Sequence, residues 1–428
     1  MTAAPVRVGT LGGDAQVEVD TVGGVTFRGP PYRLDWWIGA DDRWREPARE
    51  VAVRQHLDGG SPVVVTSVRV PSGDAVQTVY ATGASVVMEI HNDSPAPFVA
   101  ALLFSPGVSG TPVSAVLDDT RLLFDGEVVA RFTNAPSAVT EAPDRDAVRV
   151  IVVDGVPPGT LPVSGASPEV VALFPVAHRA RTRVAFPLGR GAEPAAPTAL
   201  DDSTAVARGW AKQRERGLKV EWPDPSWDPV VNAARCDLLL RGSLPRPTPE
   251  EVAALEDWGH DDEAVAGWAR LGFRGRARAR RRPWSEAGAG ALVSEVERRR
   301  REVSPVVTWE DGPAAFLLAL RALLGRERSG GDVELLSALP SSFLGGDLTV
   351  TGLPTRRGPV SYALRWHGAR PALLWEAPEG IRLRVPGIDP AWHTTAASGE
   401  VLLAAPTAVG GASGEAESDD LAGSDGHG

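Results

Sequence analysis

The spacing of apolar residues changes twice along this 428-residue chain, and that change limits the folds it can adopt. From Val6 to about Leu188, short runs rich in Val, Thr and aromatic residues lie between clusters of Gly, Pro, Asp and Asn, which is typical of strands joined by turns. From about 202 to 329 the apolar residues recur at helical spacing, and strand-like runs return over about 335–405. The pattern therefore predicts three bodies in the order β, α, β.

These three bodies predict a multidomain α+β protein whose domains follow one another along the chain. We expect a large N-terminal antiparallel β-sandwich over 1–195, a shortened α-helical middle domain over 196–334 and a small C-terminal β domain over 335–405. Residues 406–428 are dominated by Gly, Ala, Ser, Asp and Glu, so we expect a disordered acidic tail.

Individual elements can be predicted from the same periodicities. Predicted strands are 15–20, 61–70, 84–93, 120–132, 147–155, 347–353, 359–368, 370–376 and 380–387. Predicted helices are 202–217, 228–241, 248–257, 261–271, 285–302 and 312–326. Thr248 followed by Pro249 is a strong helix start, because Thr caps free N–H groups and Pro fits the first helical position.

The charge of the chain bears on whether it binds nucleic acid. The net charge is −11, so binding to phosphate backbones is disfavoured except at a local basic patch. Such a patch is the arginine-rich run 274–282, followed by Arg298 to Arg301, but Arg is the default cation in this chain. We interpret the run as a solvated or internally paired surface and expect no nucleic-acid partner.

The sequence also bears on compartment and redox chemistry. Cys236 is the only cysteine, so no intrachain disulfide can form, and its apolar neighbours predict a buried, inert thiol. The first residues contain neither a basic nor an apolar signal region, and no apolar stretch reaches the roughly 20 residues of a membrane-spanning helix. We therefore expect a cytoplasmic protein without a membrane segment. The oligomeric state cannot be predicted from the sequence.

Aromatic residues are the feature most suggestive of a ligand. Trp36, Trp37 and Trp44 lie in one segment, YRLDWWIGADDRW, together with acidic and basic residues that could hydrogen-bond hydroxyl groups. These three tryptophans are our candidate carbohydrate-binding residues. Alternatively, because neighbouring residues of a strand face opposite sides, at least one of the adjacent pair belongs to a core. Trp366 and Trp375 are interpreted as core residues.

The C-terminal segment carries a family resemblance. Leu335 to Pro340, followed by TVTGLPTRRGPVSYALRWHGARPALLWE, resembles the β domain that closes many six-hairpin glycoside hydrolases. These are (α/α)6-toroid enzymes of the glucoamylase and amylo-α-1,6-glucosidase type, and their bacterial members have a similar order of domains. The resemblance implies a carbohydrate substrate and a pair of catalytic carboxyl groups. We expect no cofactor and no metal.

Two acidic clusters could supply that pair, which must flank the scissile bond. Our candidates are Glu310 and a carboxylate of the 257–263 loop, with Asp262 chosen. Alternatively, each cluster is the acidic start of a helix, where carboxylates offset the helix dipole. Moreover, a twelve-helix toroid needs over about 170 residues, whereas 200–335 offers 136. We therefore expect a partial toroid with weak or lost activity; the alternative is a non-catalytic glycan-binding or scaffold protein.

Overall fold

The computed structural model of the protein describes residues 5–27, 32–106, 115–154, 169–189, 191–279, 289–301, 312–328 and 330–406. Within these ranges, two eight-stranded antiparallel sheets come first, six helices follow, and two smaller sheets close the chain. The predicted fold class is confirmed. The tail from 407 onward and Glu310 lie outside the described residues.

The N-terminal region is the predicted sandwich. Its strands are β1 (Val6–Gly9), β2 (Gln16–Val19), β3 (Val25–Phe27), β4 (Tyr32–Gly39), β5 (Trp44–Arg45), β6 (Arg54–Leu57), β7 (Val64–Val70), β8 (Gly73–Thr82), β9 (Ser85–Asp93), β10 (Phe98–Pro106), β11 (Ala115–Asp118), β12 (Arg121–Phe124), β13 (Glu127–Phe132), β14 (Ala138–Ala142), β15 (Glu169–Val176) and β16 (Arg181–Pro187). One sheet runs β1-β2-β3-β4-β10-β15-β14, with β5 beside β4, and the other runs β11-β12-β13-β16-β9-β8-β7-β6. Apolar side chains of both sheets meet in one buried cluster.

One predicted strand is wrong. The Val-rich run 147–155 lies largely within a helix, α1 (Arg145–Asp154), because its apolar residues repeat at helical spacing. Val148 and Val152 are buried against the outer face of the first sheet, while Val150 and Val153 point to solvent. The Asp144 side chain accepts a hydrogen bond from the backbone N–H of Ala147 (2.8 Å), which caps the helix start.

The six predicted helices of the middle region are confirmed among the described residues. They are α2 (Ser203–Glu215), α3 (Trp227–Gly242), α4 (Pro249–Asp257), α5 (Asp261–Ala279), α6 (Ala289–Arg301) and α7 (Ala314–Leu324). Helix α4 starts at the predicted cap, where Thr248 and Glu251 each bind the other's backbone N–H. None of the helices in the described ranges combines the length and apolar content needed to cross a bilayer.

The C-terminal strands share a hydrophobic core with these helices. The strands are β17 (Lys219–Glu221), β18 (Gly325–Glu327), β19 (Val333–Leu335), β20 (Leu348–Leu353), β21 (Val360–His367), β22 (Arg370–Glu376), β23 (Leu383–Val385), β24 (Asp389–Thr394) and β25 (Ser398–Leu402). They form a β17-β20-β21-β22-β25 sheet and a β18-β19-β23-β24 sheet. Strand β17 comes from between α2 and α3, so the two regions interlock along the chain. The domain boundaries given above stay a prediction.

Helix α3 connects the sandwich to the rest of the molecule. The buried Gln16 side chain donates a hydrogen bond to the carbonyl of Leu240 (2.8 Å), and the backbone N–H of Gly12 donates to the Ser243 hydroxyl (3.1 Å). Beside these contacts lies a shallow, open cleft, which includes Cys236 among its lining residues. Burial raises the pKa of the Cys236 thiol, as expected for an inert cysteine.

Candidate functional site

The predicted tryptophan segment spans β4 and β5, and its two adjacent indoles on β4 face opposite sides of the sheet. Trp36 is 1% exposed and belongs to the sandwich core, where its Nε1–H donates to the carbonyl of Val22 (3.0 Å). Trp37 is 2% exposed and packs in a separate cluster under α1. Neither ring presents a face to solvent in this conformation.

Helix α1 covers the outer face of the sheet through contacts with this segment. The guanidinium carbon of Arg149 lies 5.7 Å from the centre of the Trp37 ring, and the Arg149 Nη2 is 2.9 Å from a Glu46 carboxylate oxygen. Trp44 is half-buried, and its Nε1–H donates to the carbonyl of Val152 (2.9 Å). Trp44 is thus the most exposed of the three candidates, and a sugar-binding role for them stays a prediction.

The polar residues near these tryptophans bind mainly to one another. Asp42 accepts two hydrogen bonds from the Arg45 guanidinium (2.6 and 2.8 Å), which lowers the pKa of Asp42 to about 2. The Arg43 guanidinium binds the Glu50 carboxylate, with one nitrogen at 2.8 Å. Hydroxyl groups of a sugar would have to compete with these pairs for the same atoms.

A polar cluster that the sequence did not indicate lies at the start of α1. Arg145 binds the Asp35 carboxylate, and its Nε is 4.0 Å from a Glu169 oxygen. The Ser105 hydroxyl donates to the other Glu169 oxygen (2.5 Å). The cluster forms because β10 lies between β4 and β15, so side chains from all three strands share one face. No local spacing could have revealed it, since its residues are far apart in the chain.

The surroundings of Glu169 in this cluster change the pKa of its carboxyl group. Burial raises the pKa of Glu169, and the Ser105 hydrogen bond and the Arg145 charge only partly oppose that effect. A carboxyl group that holds its proton can act as a general acid. However, its oxygens point to Ser105 and Arg145, and Asp35 is likewise held by Arg145 and Arg33. The arrangement therefore fastens α1 to the sheet.

Of the predicted catalytic pair, only Asp262 lies within the described residues. Asp262 lies in the first turn of α5 as expected, and its side chain is 82% exposed and ion-paired with Arg216. Glu310 lies outside the described residues. The catalytic role of both residues stays a prediction.

Next to Asp262 the structure buries two basic groups. His260 is 2% exposed and Arg235 is 6% exposed, with the Arg235 Nη2 3.4 Å from the His260 Nε2. Burial, followed by the charges of Arg235 and Arg216, lowers the pKa of His260 to about 3. Burial also lowers the pKa of Arg235 to about 10, and its guanidinium lies over the Trp258 ring at 5.2 Å. His260 is therefore a neutral, structural histidine at pH 7.

Two further sequence interpretations concern metal ions and arginines. Among the described residues, no group of three or more His, Cys, Asp or Glu is arranged to hold a metal ion. The side chains of the arginine-rich run 274–282 lie outside the described part of the chain, whereas Arg298 is ion-paired with Glu295 (2.8 Å).

Comparison with known proteins shows similarity in structure and none in sequence. No protein-family model matches the chain, and no curated protein matches its sequence. Among solved structures, a bacterial glucoamylase complexed with acarbose is similar, with a TM-score of 0.44 and 7% sequence identity. The match covers 63% of this chain and 50% of that chain, so it spans only half of the solved protein. Membership of the glycosidase family stays a prediction from the sequence.

Proposed function

We propose that the protein is a glycoside hydrolase-like protein that binds carbohydrate and hydrolyses common α-glucosides slowly or not at all. The proposed carbohydrate binding is supported by the amino-acid sequence of residues 335–376, which resembles the terminal β domain of six-hairpin glycosidases. The order of sandwich, helices and small β sheets along the chain agrees with this resemblance.

The exposure and ion pairing of the Asp262 side chain are the observations from which we expect low activity. Glycosidases place their acid and base in a site from which water is largely excluded, so that one carboxyl group can hold a proton. Asp262 instead lies on the surface, with its carboxylate bound to Arg216. Six helices lie over 203–324 in the described residues, half the number that a complete toroid uses.

A screen for hydrolysis tests this proposal. We expect wild-type protein to show little or no turnover of aryl glycosides and α-glucan oligosaccharides, measured as released aglycone or reducing sugar. Glu310→Gln and Asp262→Asn are assayed beside it, with the exposed Glu376→Gln as the control variant.

Each outcome of the screen is informative. Robust wild-type turnover would contradict the low-activity proposal. If that turnover then falls by about 10²- to 10⁴-fold in Glu310→Gln or Asp262→Asn, the assigned residues are correct. Turnover that survives both changes would show that the chemistry resides elsewhere.

A further inference from the structure

Helix α1 covers a surface of the first sheet that combines aromatic rings with hydrogen-bonding oxygens. Asp35 and Trp37 are two residues apart on β4, so both point to the outer face, where Trp37 packs. From β15, Glu169 reaches the same face and accepts a hydrogen bond from the Ser105 hydroxyl (2.5 Å). Trp44 packs against the cluster that contains Trp37. Such a surface suits a polyhydroxylated ring, because indoles supply apolar faces and the oxygens bind hydroxyl groups.

The Trp44 ring lies with one face on the sheet. A Cβ at Gly39 would be 2.7, 2.7 and 2.9 Å from three consecutive atoms of its six-membered ring, and distances so nearly equal place that Cβ over the ring face. The other face of the ring therefore points away from the sheet. The ring is held by its edge, since its Nε1–H donates to the Val152 carbonyl near the end of α1 (2.9 Å).

The arginines of α1 occupy positions that a ligand could take on this surface. The guanidinium carbon of Arg149 lies 5.7 Å from the centre of the Trp37 ring, and its Nη2 donates to both Glu46 carboxylate oxygens (2.9 Å). One turn earlier in the helix, Arg145 binds the Asp35 carboxylate. A sugar ring makes the same kinds of contact, with one face on an indole and hydroxyl groups donating to carboxylates.

The two carboxylates that α1 binds also have cations on the sheet side. Asp35 is paired with Arg33 of its own strand (3.0 Å), and Glu46 is near Arg49 (3.4 Å). Neither carboxylate therefore becomes an unpaired anion if the arginines of α1 move away. A neutral ligand that donates hydroxyl hydrogen bonds suits such paired carboxylates better than a cation does.

Helix α1 is held in place by few apolar side chains. It has ten residues, fewer than the about 12–15 below which an isolated helix is only marginally stable in water. Val148 and Val152 are buried against the sheet, whereas Val150 and Val153 point to solvent. Segments with few buried apolar contacts open at a lower free energy than the rest of a fold. A ligand that binds the uncovered sheet would shift α1 toward that open state.

We propose that the outer face of the first sheet is a carbohydrate-binding site that α1 keeps covered, with Arg149 over Trp37 in place of the ligand. This inference rests on the proposed carbohydrate role and adds the site and its regulation. An oligosaccharide binds when α1 moves away, stacks on Trp37 and Trp44, and donates hydroxyl hydrogen bonds to Asp35 and Glu46.

Hydrogen exchange measured by mass spectrometry, with and without maltoheptaose, tests the displacement of α1. We expect the ligand to speed exchange in peptides that span α1 and to slow it in peptides that span β4. Exchange in α1 that is unchanged or slower with bound maltoheptaose would overturn the proposal. Faster exchange in α1 with spermidine but not with maltoheptaose would overturn the carbohydrate assignment in favour of a cationic ligand.

Affinities of variants for maltoheptaose, measured by calorimetry, provide the second test. Arg149→Ala leaves the sheet unaltered and raises the population of the open form, so we expect about fivefold tighter binding than in wild type. Adding Trp44→Leu or Glu46→Gln to Arg149→Ala should remove this gain. Arg181→Ala is the matched control, because Arg181 is paired with Glu89 on the other sheet (3.2 Å). Its affinity should stay within twofold of wild type.

The outcomes separate this inference from the function on which it rests. Binding only by Arg149→Ala would support the covered site, since α1 then keeps the wild type closed. Equal affinities of wild type and Arg149→Ala, with exchange in α1 unchanged, would overturn the covered site but leave a carbohydrate role intact. No binding of maltoheptaose by either protein at millimolar concentration would overturn both.

Discussion

Replacing Trp258 with alanine is expected to lower the free energy of unfolding by about 3 to 5 kcal/mol. The indole is 0% exposed and lies at the end of α4, where it belongs to the core shared by the helices and the C-terminal strands. Its Nε1–H donates to the carbonyl of Leu317 in α7 (2.9 Å), and its face meets the Arg235 guanidinium. The change leaves a cavity, a buried carbonyl without its donor and a buried cation without its aromatic neighbour.

Urea unfolding followed by circular dichroism at 222 nm measures this loss, since the helices dominate that signal. Trp392→Ala is the matched control, because this indole is only half-buried at the edge of the same core. We expect its loss to be less than half as large. Equal losses in the two variants, or a loss below about 1 kcal/mol for Trp258→Ala, would show that the α4–α7 contact is not the stabilising feature described here.

The helices and most strands could be predicted from the sequence because each has a local periodicity that agrees with its burial. Helix α3 starts and ends within one residue of its prediction, and Thr248 and Pro249 mark the start of α4 correctly. Helix α1 was missed because β-branched residues favour strands, whereas the buried pair Val148 and Val152 follows helical spacing. In that segment, packing of the helix against the sheet outweighs the strand propensity of the individual residues.

The candidate site was harder to predict because it depends on which distant residues meet. Adjacent tryptophans on a strand had to face opposite sides, but the sequence could not show that Trp37 is covered by α1. The contact of Arg145 with Asp35 joins residues 110 positions apart. In contrast, the acidic start of α5 at Asp261 was predicted, because capping is a local interaction.

Stability is expected to depend on pH through His260, and His260→Gln should remove that dependence. The folded protein keeps His260 neutral, with its pKa lowered to about 3, whereas the unfolded chain binds a proton near the ordinary value of 6.5. Stability is therefore fully present above pH 6.5 and is lost as the pH falls toward 3, by at most about 1.4 kcal/mol per pH unit. Between pH 7 and pH 5 the loss due to His260 is about 2 kcal/mol.

The measurement compares free energies of unfolding at pH 7 and pH 5 for wild type and His260→Gln. Comparing the pH dependence of the two proteins cancels the contributions of other titrating groups, such as Glu169, and any constant cost of the substitution itself. His367→Gln is the control, because His367 is exposed at the end of β21. We expect the wild type and His367→Gln to lose about 2 kcal/mol more than His260→Gln over this interval. Parallel profiles for all three proteins would mean that His260 takes up its proton in the folded state, and that the space beside Arg235 admits water or an anion.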